Sequence, residues 1–275
     1  MKTFAVLITC FNRVETTLEC LRHLYVAKLP VDVSFDVWLN DDGCTDGTGE
    51  RVANEFPSVK MIKGSGRDYW CGGMRRVWYA AAKHFDYDGY LWLNDDTILA
   101  SDAFLQIFDC PYRWDAILVG ATLATEGGRT TYSGRDVNGC KIDPTGRYEE
   151  VFNINGNFVW IPRAVFGVLG NFPCYFTHAA GDFDYGLRAK EHCIKMFQLP
   201  RYVGICDDRK KMLLWMNPTV PLMKRVKNLY SPNGGPEPNV FFRYNIKHYG
   251  FVKAVRLWVQ QHIHVLIPGI WEGAR

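Results

Sequence analysis

Two acids stand at the end of an apolar run in the stretch YLWLNDDTIL, residues 90–99. Carboxylates that close a buried strand can turn the chain in solvent, cap the next helix or hold a cation. Hard divalent ions take oxygen ligands, often one or two carboxylates together with substrate phosphates. On an extended segment alternate residues share a side. Asn94 and Asp96 are therefore expected on one side and Asp95 on the other, with Asp96 as metal ligand and Asp95 on ribose or supporting the ion. A polar turn before a helix capped by Thr97 or Ser101 is the competing reading.

Three further stretches carry chemistry-bearing residues. In NDDGCTDGT, residues 40–48, a carboxylate at a strand end can accept a base N–H or a ribose hydroxyl, while Gly43 and Gly47 let the backbone turn. A loop of Asx turns with a helix cap explains the same residues. In HAAGDFDYGLRAKEHC, residues 178–193, Asp182 and Asp184 open a helix and Arg188 lies four residues after Asp184. That spacing permits an ion pair fixing Asp184 and leaves Asp182 free as a base. Acids favoured by the helix dipole are the alternative. His178 is a second candidate base, for which a surface position is the preferred reading. In GSGRDYWCGGMRR, residues 64–76, Arg67 breaks the G-x-G-x-x-G dinucleotide pattern. Gly72 and Gly73 could admit a phosphate or sugar at a helix N-terminus, or pack that helix on a sheet.

These clusters need a scaffold that brings strand ends together. TFAVLIT, FDVWLN, VKMIKG and GYLWLN read as buried strands separated by amphipathic helices, one presenting Val14, Leu18, Leu21, Leu24 and Tyr25. Thr45 or Asp46 is the expected cap of the second helix. The alternation implies an α/β fold with a mainly parallel, Rossmann-like sheet whose ligands sit beyond the carboxyl ends of the strands. From residue 101 to 210 the chain turns to Gly- and Asn-rich antiparallel hairpins, a helix at GDFDYGLRAKEHC and a strand at YVGICDD. Residues 211–275 form an aromatic extension with amphipathic helical segments.

Charge separates the same regions. From residue 209 onward eleven Lys and Arg face only Glu237 and Glu272, although the 275-residue chain carries a net charge of just +3. So modest a charge gives no reason to expect a nucleic-acid partner. The basic tail, with Trp215, Phe241, Phe242, Tyr244, Trp258 and Trp271, suits either an anionic membrane surface or packing on the domain. Nine cysteines without a C-x-x-C pair point to free thiols and a reducing cytosol. The opening MKTFAVLITCFNR is too short in its apolar part for a signal h-region, and no run reaches the roughly 18 apolar residues of a membrane span. No Walker A, G-x-S-x-G or H-E-x-x-H pattern occurs.

The motifs in their order, VLITCFNRVETTLECLRHL, LNDDGCTDGT, YWCGGMRRVWYAA, LWLNDDT, NGNFVWIPRAVF and GDFDYGLRAKEHC, resemble those of a family 2 glycosyltransferase of the GT-A fold, over residues 3–207. That resemblance implies inverting transfer of a sugar from a nucleotide-diphosphate donor, UDP-hexose or dTDP-rhamnose, to a hydroxyl of a glycan or lipid-linked glycan. The setting it implies is surface-polysaccharide synthesis at the inner face of the plasma membrane, with Mn2+ or Mg2+ as cofactor. Residues 1–100 correspond to the nucleotide-sugar half and 101–210 to the acceptor half. Thr9, Phe11, Arg13, Asp41, Gly72, Gly73, Asn94 and Asp95 correspond to donor contacts. Asp96, with Asp95, corresponds to the metal site, and Asp182 to the general base supported by Asp184 and Arg188. Asn94 stands where the family has an acid, and Gly181 where it has Glu. Cys206, Asp207 or Asp208 stands in for a histidine ligand. A sugar-phosphate nucleotidyltransferase would need a Gly-rich loop after the first strand, which TCFNRVE lacks. A nucleotide-sugar binder without turnover is the remaining alternative.

Overall fold

The computed structural model describes residues 1–207, 212–235 and 237–268; Asp208 and Trp271 lie outside them. Its first half alternates as the hydrophobic pattern requires: β1 (Lys2–Cys10), α1 (Val14–Val26), β2 (Val33–Asp41), α2 (Thr48–Glu55), β3 (Lys60–Lys63), α3 (Tyr69–His84) and β4 (Gly89–Leu93). There follow β5 (Ile98–Leu99), α4 (Ala103–Phe108), β6 (Ile117–Leu123), β7 (Thr130–Tyr132), β8 (Glu149–Glu150), β9 (Phe158–Pro162), α5 (Arg163–Leu169), α6 (Gly181–Glu191) and β10 (Met196–Ile205). The tail forms α7 (Leu222–Leu229), α8 (Pro238–Tyr249) and α9 (Phe251–Leu266).

One sheet runs in the order β3-β2-β1-β4-β9-β6-β10-β5. The pairs β2–β3, β1–β2, β1–β4 and β6–β10 are parallel. β9 is inserted antiparallel between β4 and β6. The short β7 and β8 add antiparallel pairings to β6 and β10. The buried runs of β1, β4 and β9 have apolar side chains on both faces, so one core forms on each side. Trp78, Trp92 and Tyr185 fill the α3 side, while Phe4, Phe104 and Trp160 fill the other.

Several local expectations shift. On α1 the buried positions are Thr17, Leu18, Cys20, Leu21 and Leu24, whereas Tyr25 is exposed. α2 begins at Thr48 after Gly47 at φ 83°, and Asp46 accepts from the Thr48 N–H at 3.1 Å and the Val14 N–H at 3.1 Å. One carboxylate thereby satisfies free donors at the starts of two helices. Neither Thr97 nor Ser101 caps α4, whose N-cap is Asp102 without a side-chain bond. α5 was not anticipated. The amphipathic tail is divided at Gly250, φ 87°, into α8 and α9. Glu237 caps α8 by accepting from the Asn239 and Val240 N–H groups at 3.1 and 3.0 Å. α8 lays Tyr244, Phe241 and Val240 on a cluster that includes Phe176 and Leu187, so the tail packs on the domain. All nine cysteines are free thiols. No helix among the described residues is long and apolar enough to cross a membrane.

Candidate active site

The carboxyl ends of β1, β2 and β4 open into a cleft of about 330 Å³. β1 and the turn after it contribute Thr9, Cys10, Phe11 and Arg13; the other walls include Asp42, Tyr69, Trp70, Asp95, His178 and, from the tail, Asn233. Phe11 projects with half of its surface exposed.

At the end of β2 the two acids part. Asp41 accepts from the Cys44 N–H at 2.8 Å, and a Cβ placed at Gly49 would lie 2.5 Å from Asp41 Oδ2. Asp41 is thus packed under the start of α2 and does not line the cleft. Asp42 does, and its carboxylate accepts from the Gly66 N–H at 2.8 Å and the Asp68 and Tyr69 N–H groups at 3.0 Å. One step along an extended chain moves a side chain to the opposite face, and the motif alone does not reveal which acid faces inward.

At the end of β4 the chain turns rather than continuing extended, with the Thr97 N–H donating to Asn94 O at 3.3 Å. The turn removes the expected alternation and brings both acids together. Arg13 Nη1 donates to Asp95 Oδ1 at 3.2 Å and Asp96 Oδ2 at 2.9 Å. Thr17 Oγ1 donates to Asp95 Oδ2 at 3.3 Å. Asn94 Oδ1 accepts from the Trp70 indole N–H at 2.8 Å. Burial pushes the Asp95 carboxyl up to about 7, against the pull of Arg13 and with the Asp96 charge adding to the rise.

Asp95 and Asp96 form a pair of hard oxygen donors joined by one cation. No cluster of three or more His, Cys, Asp or Glu able to hold a metal occurs among the described residues. That donor set fits a divalent ion whose shell is completed by phosphate oxygens. Cys206 donates its thiol to Asp96 Oδ1 at 3.2 Å, and burial and the Asp96 charge push that thiol up to about 12. A soft thiol suits Mn2+ or Mg2+ less well than a carboxylate. Asp207 is exposed at the strand end.

Gly72 and Gly73 lie inside α3, which starts at Tyr69. A Cβ at Gly73 would sit 2.1 Å from Thr9 Oγ1. The glycine lets α3 press on β1 and β2, where Asn40 Nδ2 donates to Thr9 Oγ1 at 3.1 Å. Gly73 serves this packing, whereas Gly72, in the first turn of α3, donates its N–H to Thr177 O at 3.1 Å.

Across the cleft, Ala180 at φ 70° sets up α6. A Cβ at Gly181 would fall 2.5 Å from Cys71 Sγ, so the packing of α3 on α6 leaves no room for a larger residue there. Asp182 Oδ2 accepts from Gly156 N–H at 2.8 Å and Asn155 Nδ2 at 3.1 Å, and Oδ1 accepts from the Phe183 N–H at 2.9 Å. A Cβ at Gly156 would meet the Trp70 ring at 2.5 Å and Asp182 Cβ at 3.0 Å. Trp70 therefore lies between Asn94 and the Asp182 region as a common floor. Asp184 is fully buried; its Oδ2 accepts from Arg188 Nε at 2.8 Å, and its Oδ1 from Lys247 Nζ and His248 Nε2, both at 2.8 Å. Burial alone would raise this carboxyl, but the His248 and Lys247 bonds and the Arg188 charge hold it below the ordinary range. His178 is exposed as expected, yet it stands on the cleft wall; desolvation and Arg13 lower its imidazole against the nearby Asp182 charge.

Asp42, Trp70, Asn155, Lys247 and His248 were not singled out from the sequence. Trp70 could have been noticed, since it adjoins the two glycines and an indole N–H needs a partner when buried. The tail residues gave no such signal, because their partner Asp184 is more than sixty positions away.

No family model matches this chain, and no curated protein sequence does. Its architecture has counterparts among solved structures. The mannosyltransferase PcManGT from Pyrobaculum calidifontis, in complex with GDP-Man and Mn2+, superimposes with a TM-score of 0.57 at 14% identity, covering 96% of this chain and 75% of that one. TarS 1–349 from S. aureus in complex with UDP-GlcNAc gives a TM-score of 0.54 at 14% identity, covering 95% and 81%. The chain thus shares the mixed α/β fold of these two structures, a central, mostly parallel sheet flanked by helices.

Proposed function

We propose that this protein is a nucleotide-sugar glycosyltransferase that inverts the anomeric centre. The observation that carries this reading is the Asp95–Arg13–Asp96 cluster at a cleft walled by Trp70, with the hydrogen-bonded Asp182 behind the same indole, which meets both Asn94 and Gly156. Phe11 offers an exposed ring for a nucleobase, and Thr9 and Asp42 line the same wall. Arg13 brings positive charge to the place where a diphosphate would lie. A divalent ion held by Asp96 and Asp95, Mn2+ or Mg2+, would supply neutralisation of the leaving diphosphate. Asp182 takes the proton of the acceptor hydroxyl as that oxygen attacks the anomeric carbon from the opposite face. One displacement inverts the centre, and no protein nucleophile is needed. UDP-hexose or dTDP-rhamnose is the donor and a surface-polysaccharide glycan the acceptor in this reading.

The wild-type chain is expected to release nucleoside diphosphate from such a donor in the presence of Mn2+. Asp96→Ala should weaken Mn2+-dependent binding of that donor about tenfold or more in calorimetry, the scale at which removing a charged contact costs 1.4 kcal/mol or more. Release from none of the UDP- and dTDP-sugars would overturn the reading, and unchanged affinity in Asp96→Ala would remove Asp96 from the site.

The tail adds a membrane reading at the cytoplasmic face. α9 exposes Phe251, Val252, Val259, Ile263 and Leu266 beside Lys253 and Arg256, while Ala254, His264 and Val265 face inward. Apolar and basic groups on one exposed helix favour an interfacial seat on anionic lipid. The protein is expected to co-sediment with phosphatidylserine-containing vesicles at low salt and to be released as salt rises, and not to bind pure phosphatidylcholine. Its absence from the anionic pellet would remove this function of the tail.

A further inference from the structure

A second cavity, of about 600 Å³, begins at Ala179 and Ala180, next to the His178 wall of the first cleft. Its walls come from three places that the sequence separates widely: the Arg135–Gly139 turn, the start of α6 and the tail helices α8 and α9. Phe152, Phe183, Tyr244 and Tyr249 line it together with Arg135 and Lys253. Arg135 connects the cavity to the candidate base: its Nη2 lies 3.5 Å from Asn155 Oδ1, and Asn155 Nδ2 donates to Asp182 Oδ2 at 3.1 Å.

The lining has a definite chemical character. Pyranose rings carry apolar C–H faces and polar edges, which aromatic rings with a polar handle complement. The guanidinium of Arg135 stacks 5.3 Å from the Phe183 ring, and its Nε is buried without a hydrogen-bond partner. Lys253 Nζ lies 3.8 Å from the Tyr249 ring centroid on the open side. The carboxylate on the rim, Asp136, already accepts from the Asn138 and Cys140 N–H groups at 2.9 and 2.8 Å. Arg135 donates through Nη1 to Gly139 O and through Nη2 to Asn155 Oδ1, so it contributes charge to the cavity while the Lys253 ammonium is the cation with donors for a carboxylate or phosphate.

We propose that this aromatic, cationic groove is the acceptor site, and that the acceptor is a carbohydrate chain bearing carboxylate or phosphate. The assignment rests on the glycosyltransferase reading, and it goes further by naming the groove and the charge of what fills it. The tail then has a second task, since α8 and α9 supply one wall.

The test is calorimetry on the full chain with three probes: a hyaluronan hexasaccharide, glucose-1-phosphate and the neutral maltohexaose. One or both anionic probes should bind more tightly than maltohexaose, and which of them does so distinguishes carboxylate from phosphate. Lys253→Gln, at an exposed position that spares the fold, should weaken the anionic probe about tenfold and remove its advantage, with Tyr249→Ala weakening all glycans. UDP and dTDP titrated into the same samples report on the donor cleft separately. If neither nucleotide binds the wild type, the donor reading fails while the glycan result stands on its own. No preference for an anionic probe, or unchanged affinity in both variants, overturns the groove assignment.

Discussion

Asp182→Asn is expected to lower sugar transfer by about 10²–10⁴-fold, the usual contribution of a positioned general base. Donor binding should persist, because the cleft residues proposed to meet a nucleotide come from β1, the turns after β1, β2 and β4, and α3, not from α6. The size of the effect follows from what Asn155, Gly156 and Phe183 do. Three N–H donors fix the carboxylate's orientation and leave Oδ1 a second lone pair to receive a proton. An amide keeps the shape, can accept from Gly156 and Asn155 on its one oxygen with its NH2 turned to the Phe183 N–H, and cannot take the proton. Single-turnover transfer from the donor, measured beside calorimetric nucleotide affinity, separates the two effects. A variant with full transfer would remove Asp182 from the chemistry; one that no longer bound nucleotide would assign it to the fold.

The second large effect concerns Asp184. Its carboxylate is fully buried and paired with Arg188, Lys247 and His248. Asp184→Ala leaves Arg188 and Lys247 facing an empty position and His248 without its partner there, and breaking a buried pair in this way costs about 3–5 kcal/mol. In a chain of this size that lowers Tm by roughly 10 °C, at about 2–4 °C per kcal/mol. Two of the partners belong to α8, so the tail should also become more sensitive to limited proteolysis. The pH dependence has a definite sign. A carboxyl whose folded pKa lies below its unfolded value near 3.8 contributes stability that is present above that value. The contribution is lost as pH falls through the folded pKa. The gap in Tm between wild type and variant should therefore hold from pH 5 to 8 and close in acid; a gap that closed towards pH 8 would overturn the assignment.

Much of this site was legible because its residues sit where strands end. The pattern of apolar runs and acidic ends places β1, β2 and β4 beside one crevice, and the sheet order agrees. What could not be read was orientation at single-residue resolution. Asp41 and Asp42 are adjacent and chemically identical, and only the packing of Asp41 against Gly49 decides which faces inward. The NDD turn likewise depends on a backbone bond from Thr97 to Asn94, which no alternation rule contains. The tail was the least legible. Its basic and aromatic residues are compatible with a free membrane-binding arm, whereas Lys247 and His248 reach a carboxylate in α6 that only the folded chain brings near. Gly73 shows the same limit from the other side: a glycine that looked apt for a ligand also serves the closeness of α3 to the sheet.

The antiparallel strand β9 hydrogen-bonds to β4 along its whole length and to β6 on its other edge. It stitches the first hundred residues to those that follow through a continuous ladder. The two halves recognised in the sequence thus form one plate, without a hinge line between them in the sheet. Movement that admits a donor or releases a spent nucleotide falls to the rim: the Gly64–Asp68 loop tethered by Asp42, and the tail segment that carries Asn233 over the cleft. The rate of such a cycle would then be set by how firmly a few surface segments are fastened, and mutations at those fastenings would alter turnover while leaving the catalytic groups in place.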